Sequence, residues 1–182
     1  MKKILILLMI AILLAGCTDP IIPAPEDIPE ETPEVKNPGE DNKKEPLMAP
    51  DFELEALDGT KIKLSEAVKD KNVILNFWAT WCGFCVVEMP DLEELQKAHE
   101  DDLLIIAINV GETKEKVQGF VDENNLNLTV VLDEDMKVNN NYGVRSYPTT
   151  IAINKKGEAV GAYVGMLTYD QMEQLYGFFE EE

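Results

Sequence analysis

The sequence predicts an α/β fold, a central mixed β-sheet with helices on both faces, on three observations. From Ala49 onward strand-like and helix-like segments alternate. The apolar run over residues 73–78 has no polar alternation, which marks a central strand covered on both sides. Two turn signals, Asp58-Gly59 and Lys155-Lys156-Gly157, each separate a pair of short β-forming runs.

Taken in order, residues 52–57 and 61–64 alternate apolar and polar side chains around Asp58-Gly59 and predict an opening hairpin. Ser65 is placed to cap a short helix ending near Asp70, ahead of the strand at 73–78. A long helix then spans about 83–99, where Pro90 removes one backbone hydrogen bond and predicts a kink. Residues 103–110 read as a second buried strand, Thr113 caps a helix to about Asn124, 128–132 is strand, and 133–142 a short helix. Residues 149–153 and 159–164 form an antiparallel hairpin, and Thr168 opens a last amphipathic helix to Phe179.

Cys82 and Cys85 stand where the apolar strand gives way to the long helix. At a helix start the backbone N–H groups are unpaired and the macrodipole is positive, so a thiolate there is stabilised. A spacing of three residues brings both sulfurs within bonding range on one turn, which permits a dithiol/disulfide cycle. A bridge closing only two intervening residues constrains the unfolded chain little, which favours redox chemistry over structural stapling. Glu88, three residues after Cys85, shares its helical face; it reads either as a proton acceptor beside an apolar strand or as a solvated carboxylate like Glu93 and Glu94.

The N-terminal part has a different character. Lys2 and Lys3, an apolar run over 4–14 and Leu14-Ala15-Gly16 before Cys17 give residues 1–16 the three parts of a secretion signal, with a run about half the ~20 residues a membrane span needs. Residues 13–17 resemble the lipobox of bacterial lipoproteins, in which the cysteine receives a lipid; the alternatives are an ordinary secretory cleavage site with a chance cysteine or a buried apolar helix. Residues 17–46, rich in proline and acidic side chains, read as a disordered tether, leaving 47–182 as the folded domain. Loss of Lys2 and Lys3 takes the net charge from −19 to −21, and Arg145 is the sole arginine, which excludes nucleic acid and leaves membrane attachment to the lipid.

Five features, spread over nearly all of residues 50–179, resemble the thioredoxin fold and, within it, the membrane-anchored TlpA/ResA-like thiol-disulfide oxidoreductases. They are Phe77-Trp78-Ala79-Thr80-Trp81-Cys82-x-x-Cys85; Glu88-x-Pro90; Leu57-Asp58-Gly59; Tyr147-Pro148-Thr149; and Val164-Gly165-Met166-Leu167-Thr168. The segment 113–132 resembles the helix–strand insertion of that family. The resemblance implies a cis bond before Pro148, a proton-accepting role for Glu88, and a neutral Asn76 where plain thioredoxins carry a buried aspartate. It also implies a groove of Trp81, Gly83, Phe84, Tyr147, Pro148 and Gly165 that receives a disulfide-bearing protein, apocytochrome c among them, with electrons from a membrane thiol-disulfide transporter. Gly83-Phe84 departs from reducing members that have proline before the second cysteine, and because C-x-x-C couples span roughly −120 to −270 mV the direction of electron flow stays open.

The expected chemistry is attack by a Cys82 thiolate on a partner disulfide, followed by release through Cys85 with help from Glu88. Two alternatives stand beside it: a thiol peroxidase, suggested by Ala49-Pro50-Asp51-Phe52, and a Cu(I)-carrying chaperone using the cysteine pair. No cofactor is implied. No metal is expected either, because two cysteines fall short of a closed zinc site and His99 lies about 20 Å along the helix from Cys85.

Overall fold

The computed structural model describes residues 46–180. The signal at 1–16, Cys17 and the tether as far as Glu45 lie outside the described residues, as do 181 and 182. Twelve elements follow one another: β1 (Glu53–Ala56), β2 (Lys61–Lys63), α1 (Leu64–Ala67), β3 (Asn72–Trp78), α2 (Gly83–Ala98), β4 (Leu103–Val110), α3 (Lys114–Asn124), β5 (Thr129–Asp133), α4 (Lys137–Asn141), β6 (Thr149–Ile153), β7 (Ala159–Val164) and α5 (Tyr169–Gly177). Among the described residues these build one seven-stranded sheet in the order β2-β1-β5-β4-β3-β6-β7. The pairs β3–β4 and β4–β5 are parallel, while β1, β2, β6 and β7 join antiparallel, so the sheet is mixed as the sequence predicts.

β3 is buried along its whole length, and its period of two divides the molecule into two cores. Ile74 and Trp78 join Met89, Leu92 and Leu95 of α2, Val117 of α3, and Met172 and Leu175 of α5. Val73, Leu75 and Phe77 face the other way, with Phe52, Leu64 of α1 and Val138 of α4. Helices therefore cover both faces. Asn76 falls on the α2 side of β3, where its side chain meets Glu88.

The predicted caps hold in one case and fail in two. Thr168 forms a complete capping box with Gln171 at the start of α5. Ser65 caps nothing: α1 begins after Lys63, and the Asp51 carboxylate takes the Ser65 N–H at 2.9 Å and the Phe52 N–H at 3.0 Å. Thr113 precedes α3 without a side-chain bond, and Glu134 accepts the Lys114 N–H at 3.2 Å instead. The long helix runs on through Pro90 to Ala98 as a single element.

The largest boundary difference lies after β5. Residue 133 ends a strand rather than opening a helix, and α4 starts only after Met136, whose φ of 59° turns the chain. The reason is local: the buried Asp133 carboxylate reaches forward and accepts the N–H groups of Val138 (3.1 Å) and Asn139 (2.7 Å), capping α4 from the strand end. Asp133→Ala leaves both N–H groups unpartnered and is expected to lower stability by about 1–3 kcal/mol, measured by urea unfolding.

Candidate active site

β3 ends at Trp78 and α2 starts at Gly83, so residues 79–82 must turn from sheet to helix. The Cys82 N–H closes that turn on Ala79 O at 3.1 Å. Cys82 is the N-cap of α2, its Sγ accepts the Cys85 N–H at 3.2 Å, and the two cysteines form a disulfide. The start of a helix, with its unpaired N–H groups and positive dipole end, is a setting that stabilises a thiolate. Cys82 retains 7% of its surface and Cys85 none, so only Cys82 is reachable from outside.

The groove residues named from the sequence gather from separate elements. The Trp81 ring is exposed and meets Tyr147 edge-on, with centroids 5.9 Å apart. Tyr147 is held from behind by its hydroxyl, which donates to Asn139 Oδ1 at 3.0 Å, and the Tyr147–Pro148 peptide bond is cis. Gly165 donates its N–H to Pro148 O at 2.8 Å. Its φ of 115° is a conformation that side-chain-bearing residues rarely adopt, so glycine is required there. Gly83 opens α2 with free space where a Cβ would stand, and Phe84 beside it is exposed, followed one turn on by exposed Val87.

Three residues after Cys85 along α2 lies Glu88, 1% exposed. Its Oε1 accepts Asn76 Nδ2 at 2.8 Å and its Oε2 accepts the Leu167 N–H at 2.9 Å. Asn76 also donates to Thr150 Oγ1 at 3.1 Å, which joins β3, β6, α2 and the segment before α5 in one buried network. Of the two sequence readings of Glu88, the solvated carboxylate is therefore the wrong one.

The chain matches the AhpC/TSA family over residues 47–160. It is 42% identical to the thioredoxin-like protein YneN of Bacillus subtilis over 69% of this chain and 75% of that protein. It is 40% identical to the thiol-disulfide oxidoreductase ResA of Halalkalibacterium halodurans over 74% of this chain and 76% of that one. It belongs to the ResA-type thiol-disulfide oxidoreductases of the AhpC/TSA family. Among solved structures, the exposed lipoprotein thioredoxin Etrx1 of Streptococcus pneumoniae aligns with a TM-score of 0.61 and 32% identity, covering 69% of this chain and 96% of that one. The thioredoxin-like fold and the disulfide exchange chemistry follow from this membership.

In this ResA-type chain the sequence located the cysteines and Glu88 but not what holds them. Asn76 emerges as a donor to Glu88, and Asn139 as the support of Tyr147. Glu112 is a third omission: buried and 32 residues from Thr80, it bonds that residue twice. Nothing local in Gly111-Glu112-Thr113 signals this, because the contact depends on β3 and β4 lying side by side. Among the described residues no three His, Cys, Asp or Glu side chains are grouped to hold a metal ion.

Burial raises the Glu88 carboxyl pKa from 4.5 to about 7, against the pull of the Leu167 and Asn76 donors and with a small push from Asp91. Folding thus strengthens proton binding at this site. The group's stabilising contribution is complete below pH 4.5 and is lost as pH rises through about 7. The disulfide form is expected to lose about 3 kcal/mol over that interval from Glu88 alone. Urea unfolding at stepped pH measures this, and Glu88→Gln should flatten that part of the profile.

Proposed function

We propose that this oxidoreductase works outside the cytoplasm as a lipid-anchored reductase of protein disulfides, with apocytochrome c within its substrate class. The observation that carries the reading is the pairing of a reachable sulfur at the start of α2 with a buried partner one turn on, and three residues further along the helix a buried carboxyl whose pKa is about 7. Removal of residues 1–16 and lipid on Cys17 would fix the chain to the membrane, and the tether at 17–46 would give it reach. The similarity to a lipoprotein thioredoxin and the acidic charge, which gives anionic lipid no purchase, support this arrangement.

In the reducing direction the Cys82 thiolate attacks one sulfur of the partner's disulfide. That S–S bond breaks, a mixed disulfide forms, and the partner's other sulfur leaves as a thiolate that takes up a proton. Cys85 passes its proton to Glu88 and attacks Cys82 Sγ, which breaks the mixed disulfide and expels the partner's second sulfur as a thiolate that takes up a proton from water, Glu88 later releasing its own. Two electrons pass to the partner and the chain is left in the Cys82–Cys85 disulfide form described above. A membrane thiol-disulfide transporter would return it to the dithiol.

Substrate binding falls to the rim. Exposed Trp81, which precedes Cys82 and meets Tyr147, supports this, and an exposed aromatic at Phe84 suits an apolar segment beside the partner's cysteines. Phe84→Ser is expected to raise KM for a peptide disulfide with apolar flanks by about five- to tenfold while kcat holds, measured by steady-state kinetics.

The decisive experiment replaces Cys85 with serine in the full chain. Partners should then accumulate as covalent adducts on Cys82 under oxidising conditions, and a lack of any adduct would remove the exchange mechanism. A reduction potential near −270 mV supports the reducing direction, whereas one near −120 mV reverses it.

A further inference from the structure

Glu112 follows β4 by two residues and is 6% exposed. Its Oε2 accepts the Thr80 N–H at 2.7 Å and Asn109 Nδ2 at 2.9 Å, and its Oε1 accepts Thr80 Oγ1 at 2.7 Å and Lys116 Nζ at 2.6 Å. Burial is the largest single influence and pushes the carboxyl pKa up, but Lys116, Thr80 and Asn109 together outweigh it and hold the group below its ordinary value. The result is a charged acceptor in a buried place with four donors aimed at it.

Those donors come from three elements, and one of them matters for the reaction. Thr80 is the second residue of the turn at 79–82, beyond the end of β3 and before the start of α2. Neither strand nor helix bonding fixes it. Glu112 bonds it through both main chain and side chain, and two attachment points set its rotation as well as its position. Trp81 and Cys82 come next along the chain.

We propose that Glu112 is a positioning residue for disulfide exchange: by clamping Thr80 it fixes the direction from which Cys82 meets both Cys85 and the partner's sulfur. This rests on Cys82 as the attacking thiol. Two thiols held in bonding geometry have a high effective concentration, so the clamp favours the internal disulfide over mixed disulfides with a small thiol. It also holds Cys82 in line for the incoming disulfide, where small misplacements are expensive in rate.

The test uses the full chain carrying Thr80→Ala, Thr80→Ser, Glu112→Gln, or Thr80→Ala with Glu112→Gln. Three quantities are measured: the equilibrium constant with glutathione, the rate of the reduced chain with a peptide disulfide, and the urea unfolding midpoint of the disulfide form. Thr80→Ala and Glu112→Gln are each expected to shift the equilibrium about tenfold toward the dithiol and to slow exchange by a similar factor. Thr80→Ser should restore both to within about twofold, and the double variant should be no worse than the worse single one, as expected of two groups that act through one contact. If Thr80→Ala keeps the wild-type equilibrium and rate and loses only unfolding midpoint, the clamp serves stability alone and the proposal falls. Should Glu112→Gln fail to fold, the Thr80→Ala and Thr80→Ser pair decides by itself. The glutathione equilibrium needs no physiological partner, so its outcome stands apart from the adduct experiment on Cys85→Ser.

Discussion

The buried carboxylate of Glu88 ties α2, β3 and the segment before α5 to a single point, through Asn76 on one oxygen and the Leu167 N–H on the other. Much of the site depends on that knot. Leu167 lies two residues from Gly165, which itself bonds Pro148 O, so the loops that carry Pro148 and Gly165 are connected to the helix that carries both cysteines. A carboxyl so enclosed is poised to exist in either protonation state near neutral pH, and each state bonds its two donors differently. The protonation of Glu88 and the bonds that hold β3 and the segment before α5 to α2 therefore meet at one side chain.

The sheet makes this convergence possible. β3, β4 and β5 run parallel, so their C-terminal ends open on one side, where the turn to α2, Glu112 after β4 and Asp133 at the end of β5 all lie. Crevices at the carboxyl ends of parallel strands are where ligands commonly bind in α/β sheets. Antiparallel β6 contributes its beginning rather than its end to that side, which brings Pro148 to the same edge.

Much of this was legible from the residues. The uninterrupted apolar runs of β3 and β4 announce their central places, and the change from strand to helix at Cys82 follows from Trp78-Ala79-Thr80-Trp81 ending the apolar run. What escaped was the reach of single carboxylates to distant donors. Asp51 caps α1 from 14 residues away in place of Ser65, Asp133 caps α4 from the end of a strand, and Glu112 holds Thr80 across 32 residues. A carboxylate in a sequence looks the same whether it faces water or a set of donors; only the packing of neighbouring strands tells them apart.

The first described residues add a geometric consequence. Ala49 donates its N–H to Gly157 O and Ala159 donates to Leu47 O, so the chain joins the domain beside the turn between β6 and β7. β6 pairs Ile153 with Val73 and Thr149 with Phe77, and the turn thus sits by the start of β3, while Cys82 follows its end. A strand of seven residues separates the two by about 20 Å. The point where the chain enters the domain and the reactive sulfur therefore lie toward opposite ends of β3.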